Sequence, residues 1–128
     1  MANSRFTFGK RFNRAVRWLR KNHAPKCGLP VYIRTKKKLV IRHEACWGSQ
    51  EFFPGKKWVI TLDRSQSESH AIETLIHEFS HVLQDEVEPS SDSPIEHHSD
   101  QWGIFYARLY RGFYDGYERE NDGEKSDV

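Results

Sequence analysis

Apolar residues recur at helical spacing near the start of the chain. Phe8, Phe12, Ala15, Val16 and Leu19 share one face, while Lys10, Arg11, Arg14, Arg17 and Lys21 occupy the others. The pattern predicts an amphipathic helix with a cationic exterior, ending before Pro25 and Gly28. Three strand-like stretches follow at 31–35, 39–42 and 57–62, and in the last Trp58, Ile60 and Leu62 alternate with Val59 and Thr61. Lys36 to Lys38 and Pro54-Gly55 read as turns, and residues 45–53 as a further strand or a long loop. A three- or four-stranded, mostly antiparallel sheet is expected.

Two helix signals lie beyond the strands. Ser65-Gln66-Ser67-Glu68 has the Ser-x-x-Glu form of a capping box, in which the hydroxyl and the carboxylate satisfy free backbone amides, and it predicts a helix to about Asp85. Ser93-Pro94-Ile95-Glu96 repeats the signal with Pro at the first helical position, where no amide donor is needed. It predicts a C-terminal helix carrying His98, Trp102, Phe105, Tyr106, Leu109 and Phe113. The segment from Glu118 to Val128 is acidic and has no apolar anchor, so disorder is expected there. The chain thus reads as one α+β domain over residues 1–117 followed by a tail, 118–128.

Composition agrees with a single core. The 128 residues include eight Phe, five Tyr and four Trp, enough bulk to build an interior despite 30% charged residues. No apolar run reaches the roughly 20 residues that cross a bilayer, and MANSRFTFGKRFNR lacks the apolar stretch of a secretory signal; a cytoplasmic site of action, without membrane contact, is the expectation. Cys27 and Cys46 form no CxxC pattern and read as small buried groups rather than a disulfide or a zinc site.

Charge divides the chain. Residues 1–62 carry fifteen Lys or Arg against Glu44 and Glu51, a net +13, and residues 63–128 carry five bases against sixteen acids, a net −11. Such polarity fits a basic surface for nucleic acid, and it fits equally two parts of one domain that attract each other.

The chemistry is concentrated in His77-Glu78-Phe79-Ser80-His81, an HExxH pattern inside the predicted second helix. Residues four apart project from one helical face, so both imidazoles can meet a single cation while Glu78 stands beside it. Ile72, Leu75, Ile76, Phe79, Val82 and Leu83 cluster on the opposite side, giving an apolar packing face and a separate metal face. Zinc held by two imidazoles needs a third protein ligand, with the fourth position left to water. Glu96, His97, His98 and Asp100 are the candidates; His98 is preferred because it shares a helical column with Trp102, Phe105 and Leu109. His97 ranks next, then Asp100 and Glu96.

These residues carry a resemblance. Ile60-Thr61-Leu62, then Thr74-Leu75-Ile76-His77-Glu78-Phe79-Ser80-His81-Val82-Leu83, then His98 with Trp102 four residues on, resemble the SprT-like branch of the zincin metallopeptidases. The chain is also similar to small phage and bacterial proteins of that kind, which end in a segment like 102–111. The likeness covers roughly residues 57–111. It implies a minimal zincin-like domain: an N-terminal helix, a small sheet, the HExxH active-site helix and a C-terminal helix carrying the third ligand. It also implies an extended protein or peptide substrate along the strand at 57–62, and host cytoplasm if the protein is phage-encoded. Ser99 stands where the family usually has Gly, and the Cys-rich zinc ribbon of many members is absent, so a DNA-linked role is not carried over.

The expected activity is hydrolysis of peptide bonds by a monomeric, zinc-dependent peptidase. His77, His81 and His98 hold Zn2+, and Glu78 is the general base that takes the proton of a metal-activated water and delivers it to the departing amine. Tyr106, Tyr110 and His97 are candidate oxyanion donors without an assigned role. The competing expectation is a nucleic-acid-binding or regulatory protein whose zinc is structural or catalytically inactive, with Arg11, Arg14 and Arg17 gripping the partner.

Overall fold

A computed structural model of the protein describes residues 8–41, 44–87 and 98–119. Helix α1 (Lys10–Asn22) buries Phe12, Ala15, Val16 and Leu19, the face expected from their spacing. Its N-terminus has no side-chain cap of its own. The Glu68 carboxylate, far along the chain, accepts from the Phe12 amide at 2.9 Å, placing an anion at the positive end of the helix. Gly9 makes this approach possible: its φ is +130°, and a Cβ there would lie 2.6 Å from Glu68 Oε2.

Five strands follow: β1 (Val31–Lys36), β2 (Val40–Ile41), β3 (Glu44–Ala45), β4 (Gly48–Phe53) and β5 (Lys57–Asp63). The main sheet has the order β1-β5-β4, and β2 pairs with β3 in a separate two-stranded ribbon. Two of the three pairings, β4 with β5 and β2 with β3, are antiparallel; β1 runs parallel to β5, with Val31 opposite Trp58 and Ile33 opposite Ile60. A parallel pair needs a long crossover, and the chain from β2 to β4 supplies it. β5 is therefore the central strand, with both edges paired. This corrects the expectation that a substrate adds to the strand at 57–62.

Trp58, Ile60 and Leu62 of β5 and Val31 and Ile33 of β1 are buried in one cluster with the apolar face of α1 and with α2 (Glu68–Val87). The capping signal before α2 operates two residues later than its pattern suggests. Ser67 Oγ accepts from the His70 amide at 3.2 Å, whereas Ser65 turns back to Asp63, and Glu68 serves α1 instead.

Helix α3 (Asp100–Tyr110) starts with Ser99 as its N-cap, Oγ accepting from the Trp102 amide, and continues in π-helical geometry over Arg111–Glu118. The expected cap at Ser93 lies outside the described residues. His98 thus sits just before the helix, not on it. Leu109 and Phe113 close the core. Glu118, expected to open a disordered tail, belongs to the folded domain: it is buried and bound by the Arg11 guanidinium, Nε to Oε2 at 2.6 Å and Nη2 to Oε1 at 2.7 Å. Glu86 likewise accepts from the amides of Lys26 and Cys27. At these contacts the basic and acidic halves of the sequence meet inside one domain. Cys27 is exposed and Cys46 partly exposed, not the buried groups expected. Among the described residues, no helix is long and apolar enough to cross a membrane.

Candidate metal centre

His77 and His81 project from one face of α2, their ring centroids 5.0 Å apart. The turn leading into α3 brings His98 to the same point, 5.1 Å from His77 and 5.0 Å from His81, the latter pair stacked at 22°. One ring nitrogen from each of the three lies within 4.8 Å of the other two, close enough to hold a metal ion. Imidazole nitrogens on one tetrahedral ion at ~2.0–2.1 Å stand about 3.4 Å apart. His98 is the exposed member of the set and His81 the buried one. Three neutral nitrogen donors on one side, with an exposed side left over, suit a cation that keeps a position for water.

The face that carries the histidines is partly covered, with His77 half-buried and His98 exposed. α3 packs over it, and His81 is 97% buried, at 3% exposure, although it lies opposite the apolar stripe of its own helix. The cover is Trp102, whose ring lies 4.3 Å from His98, 5.1 Å from His77 and 5.5 Å from His81. Its indole Nε1 donates to the His77 carbonyl at 3.4 Å and ties α3 to the metal helix.

His81 Nδ1 lies 2.9 Å from Gln84 Oε1, one turn along α2. The amide nitrogen of Gln84 donates to Ser99 Oγ at 3.1 Å, so the carbonyl end faces the ring. With the amide in this orientation Nδ1 carries the proton, and the ring lone pair is on Nε2.

Glu78 is buried at 3% exposure between α2 and the start of β4. Gly48, the first residue of β4, lets the strand come close: a Cβ there would lie 2.5 Å from Thr74 Cγ2 and 3.2 Å from Glu78 Cγ. Glu78 therefore stands on the histidine helix, one residue from His77, with its Cγ close against the start of β4.

The other candidates fall as follows. Glu96 and His97 lie outside the described residues. Asp100 is exposed at the first position of α3 and does not join the cluster. Tyr106 packs on Trp102 at 4.9 Å, and its ring is 6.3 Å from that of His77. Burial first, then the charge of Glu73, raises its hydroxyl pKa, so it is a proton-bearing donor near the histidines. Tyr110 continues the column farther out, 5.7 Å from Tyr106. Gln84, Gly48 and the capping role of Ser99 were not anticipated from the sequence. Gln84 carried a usable signal, a polar residue three positions after a ligand on the same helix; the other two depend on which segments meet. Comparison with protein-family models, with curated proteins and with solved structures found no match.

Proposed function

We propose that the chain is a zinc-dependent peptidase, resembling the SprT-like zincins. His77, His81 and His98 hold the ion and Glu78 is the general base. One observation carries the reading: three imidazoles from two segments converge, and the residue that follows His77 on the same helix is a buried glutamate. A bound zinc ion supplies Lewis acidity and lowers the pKa of a coordinated water. Everything else is the work of the chain. The buried Glu78 carboxylate receives the proton of the attacking water and returns it to the amine that leaves. Trp102 excludes solvent from one side, and Tyr106 offers a hydroxyl to developing negative charge.

The peptide is placed on β4 rather than β5. β4 begins beside Glu78, and among the described residues it pairs only with β5, so its outer edge can accept an extended segment by backbone hydrogen bonds. The rival reading, nucleic-acid binding through the basic N-terminal half, loses Arg11 to its ion pair with Glu118.

Glu78→Gln separates the readings. The parent is expected to retain about one equivalent of zinc after dialysis and to cleave an unfolded protein; Glu78→Gln keeps the zinc and loses cleavage by roughly 10²–10⁴-fold. A parent that binds no zinc, or a Glu78→Gln variant that cleaves at the parental rate, overturns the proposal.

A further inference from the structure

We infer that Gln84 is a positioning residue that couples the ligand His81 to the segment bearing His98, so that one buried amide sets both the tautomer of one ligand and the placement of another. The inference rests on the metal reading above. Gln84 is buried at 5% exposure, and both ends of its amide are engaged: Oε1 with His81 Nδ1 at 2.9 Å, Nε2 with Ser99 Oγ at 3.1 Å. Ser99 Oγ also accepts the Trp102 amide at 3.3 Å, the first capping bond of α3.

In the orientation the Gln84 amide adopts, Nε2 donates to Ser99 Oγ and the carbonyl is directed at His81 Nδ1, an arrangement that holds the proton on Nδ1. His98 is bonded through the backbone to Ser99, so whatever anchors Ser99 anchors the start of α3 and the ligand beside it. Ligating histidines are oriented by partners on their other nitrogen, and loss of such a partner weakens metal binding by about 10–100-fold. Here the partner does more than orient one ring. It spans from α2 to Ser99, the N-cap of α3 and the neighbour of the third ligand.

The test uses the full-length protein and its Gln84→Met, Gln84→Glu and Ser99→Ala variants. Gln84→Met keeps the length and removes both hydrogen bonds; Gln84→Glu keeps the acceptor for His81 and lets the Ser99 hydroxyl donate. Zinc affinity is measured by competition with a chromophoric chelator. The His81 tautomer is read in metal-free protein by long-range proton–nitrogen NMR, and metal-free melting temperatures report on folding. Gln84→Met is expected to bind zinc about 10–100-fold more weakly and to lose the Nδ1–H tautomer. Gln84→Glu is expected to restore affinity to within a few-fold of the parent, and Ser99→Ala combined with Gln84→Met to cost less than the two losses together. A parent that binds zinc while Gln84→Met matches its affinity, or keeps the Nδ1–H tautomer, overturns this inference alone. A parent that binds no zinc overturns the metal reading and this inference with it.

Discussion

Replacing Gly48 by Ala adds one methyl group at the contact between β4 and the metal helix, and the structure sets its cost. The new carbon would lie 2.5 Å from Thr74 Cγ2, against the ~3.5–4.0 Å of an ordinary carbon–carbon contact. Thr74 cannot swing aside freely, because its hydroxyl is held by Gln66 Oε1 at 2.8 Å and the His70 carbonyl at 2.9 Å. Nor can β4, which is laddered to β5 along its length. The overlap must therefore be relieved by a strand shift or a lost hydrogen bond, about 1–3 kcal/mol for an overpacked core position. In a domain of this size that lowers Tm by roughly 4–12 °C. The next contacts, Glu78 Cγ and Leu62 Cδ2 at 3.2 Å, mean that the displacement reaches Glu78, the proposed general base. Peptidase activity is thus expected to fall more than zinc content.

The control is Thr74→Ser, which deletes the clashing methyl and keeps the hydroxyl. Gly48→Ala with Thr74→Ser is expected to melt closer to the parent than Gly48→Ala does. Melting curves by circular dichroism, with zinc measured on the same samples, decide the matter. A Gly48→Ala protein melting within 1 °C or so of the parent would refute the argument, as would a second substitution that brings no recovery.

Two further expectations concern stability. Glu118→Gln removes the charge from a pair whose side chains are 10% (Glu118) and 31% (Arg11) exposed, which places the loss between those of surface and buried pairs, about 1–3 kcal/mol. A urea midpoint unchanged from the parent would return Glu118 to the acidic tail. Asp63 is held below the usual carboxylate pKa chiefly by the Ser65 hydroxyl, against an opposing effect of burial and with help from the Leu39 and Ser65 amides and the charge of Lys38. A lowered folded-state pKa contributes stability that is fully present above the unfolded value, ~3.9, and is lost as pH falls through the folded value. Stability of the parent should therefore decline on acidification below about pH 4, and Asp63→Asn should be less stable at pH 7 with a shallower decline. Parallel pH profiles for the two proteins would count against the assignment.

What the sequence determined by itself was local. The buried face of α1, the burial of the apolar residues of α2 and of Trp58, Ile60 and Leu62 in β5, and the side-by-side projection of His77 and His81 follow from periods of two or 3.6 residues, whereas the burial of Thr61 and of the polar side of α2 does not. Even there the local signal misplaced one detail, since Ser65 and Ser67 both satisfy the chemistry of a cap and only the path out of β5 chose between them. The partners were a different matter. Strand pairing is made by backbone groups that every residue shares, so nothing in residues 57–62 announced that β1 and β4 would enclose them and become the edge strands. The same holds for the acid that caps α1, the base that retains Glu118 and the glycine that lets β4 reach Glu78: each contact joins residues dozens of positions apart. The third histidine shows the boundary between the two. Its chemistry was legible in the sequence, but its approach to His77 and His81 was decided by the packing of α3 on α2 through Trp102 and by the Gln84–Ser99 bond, because proximity between distant segments is a property of the packed core and not of any one stretch of chain.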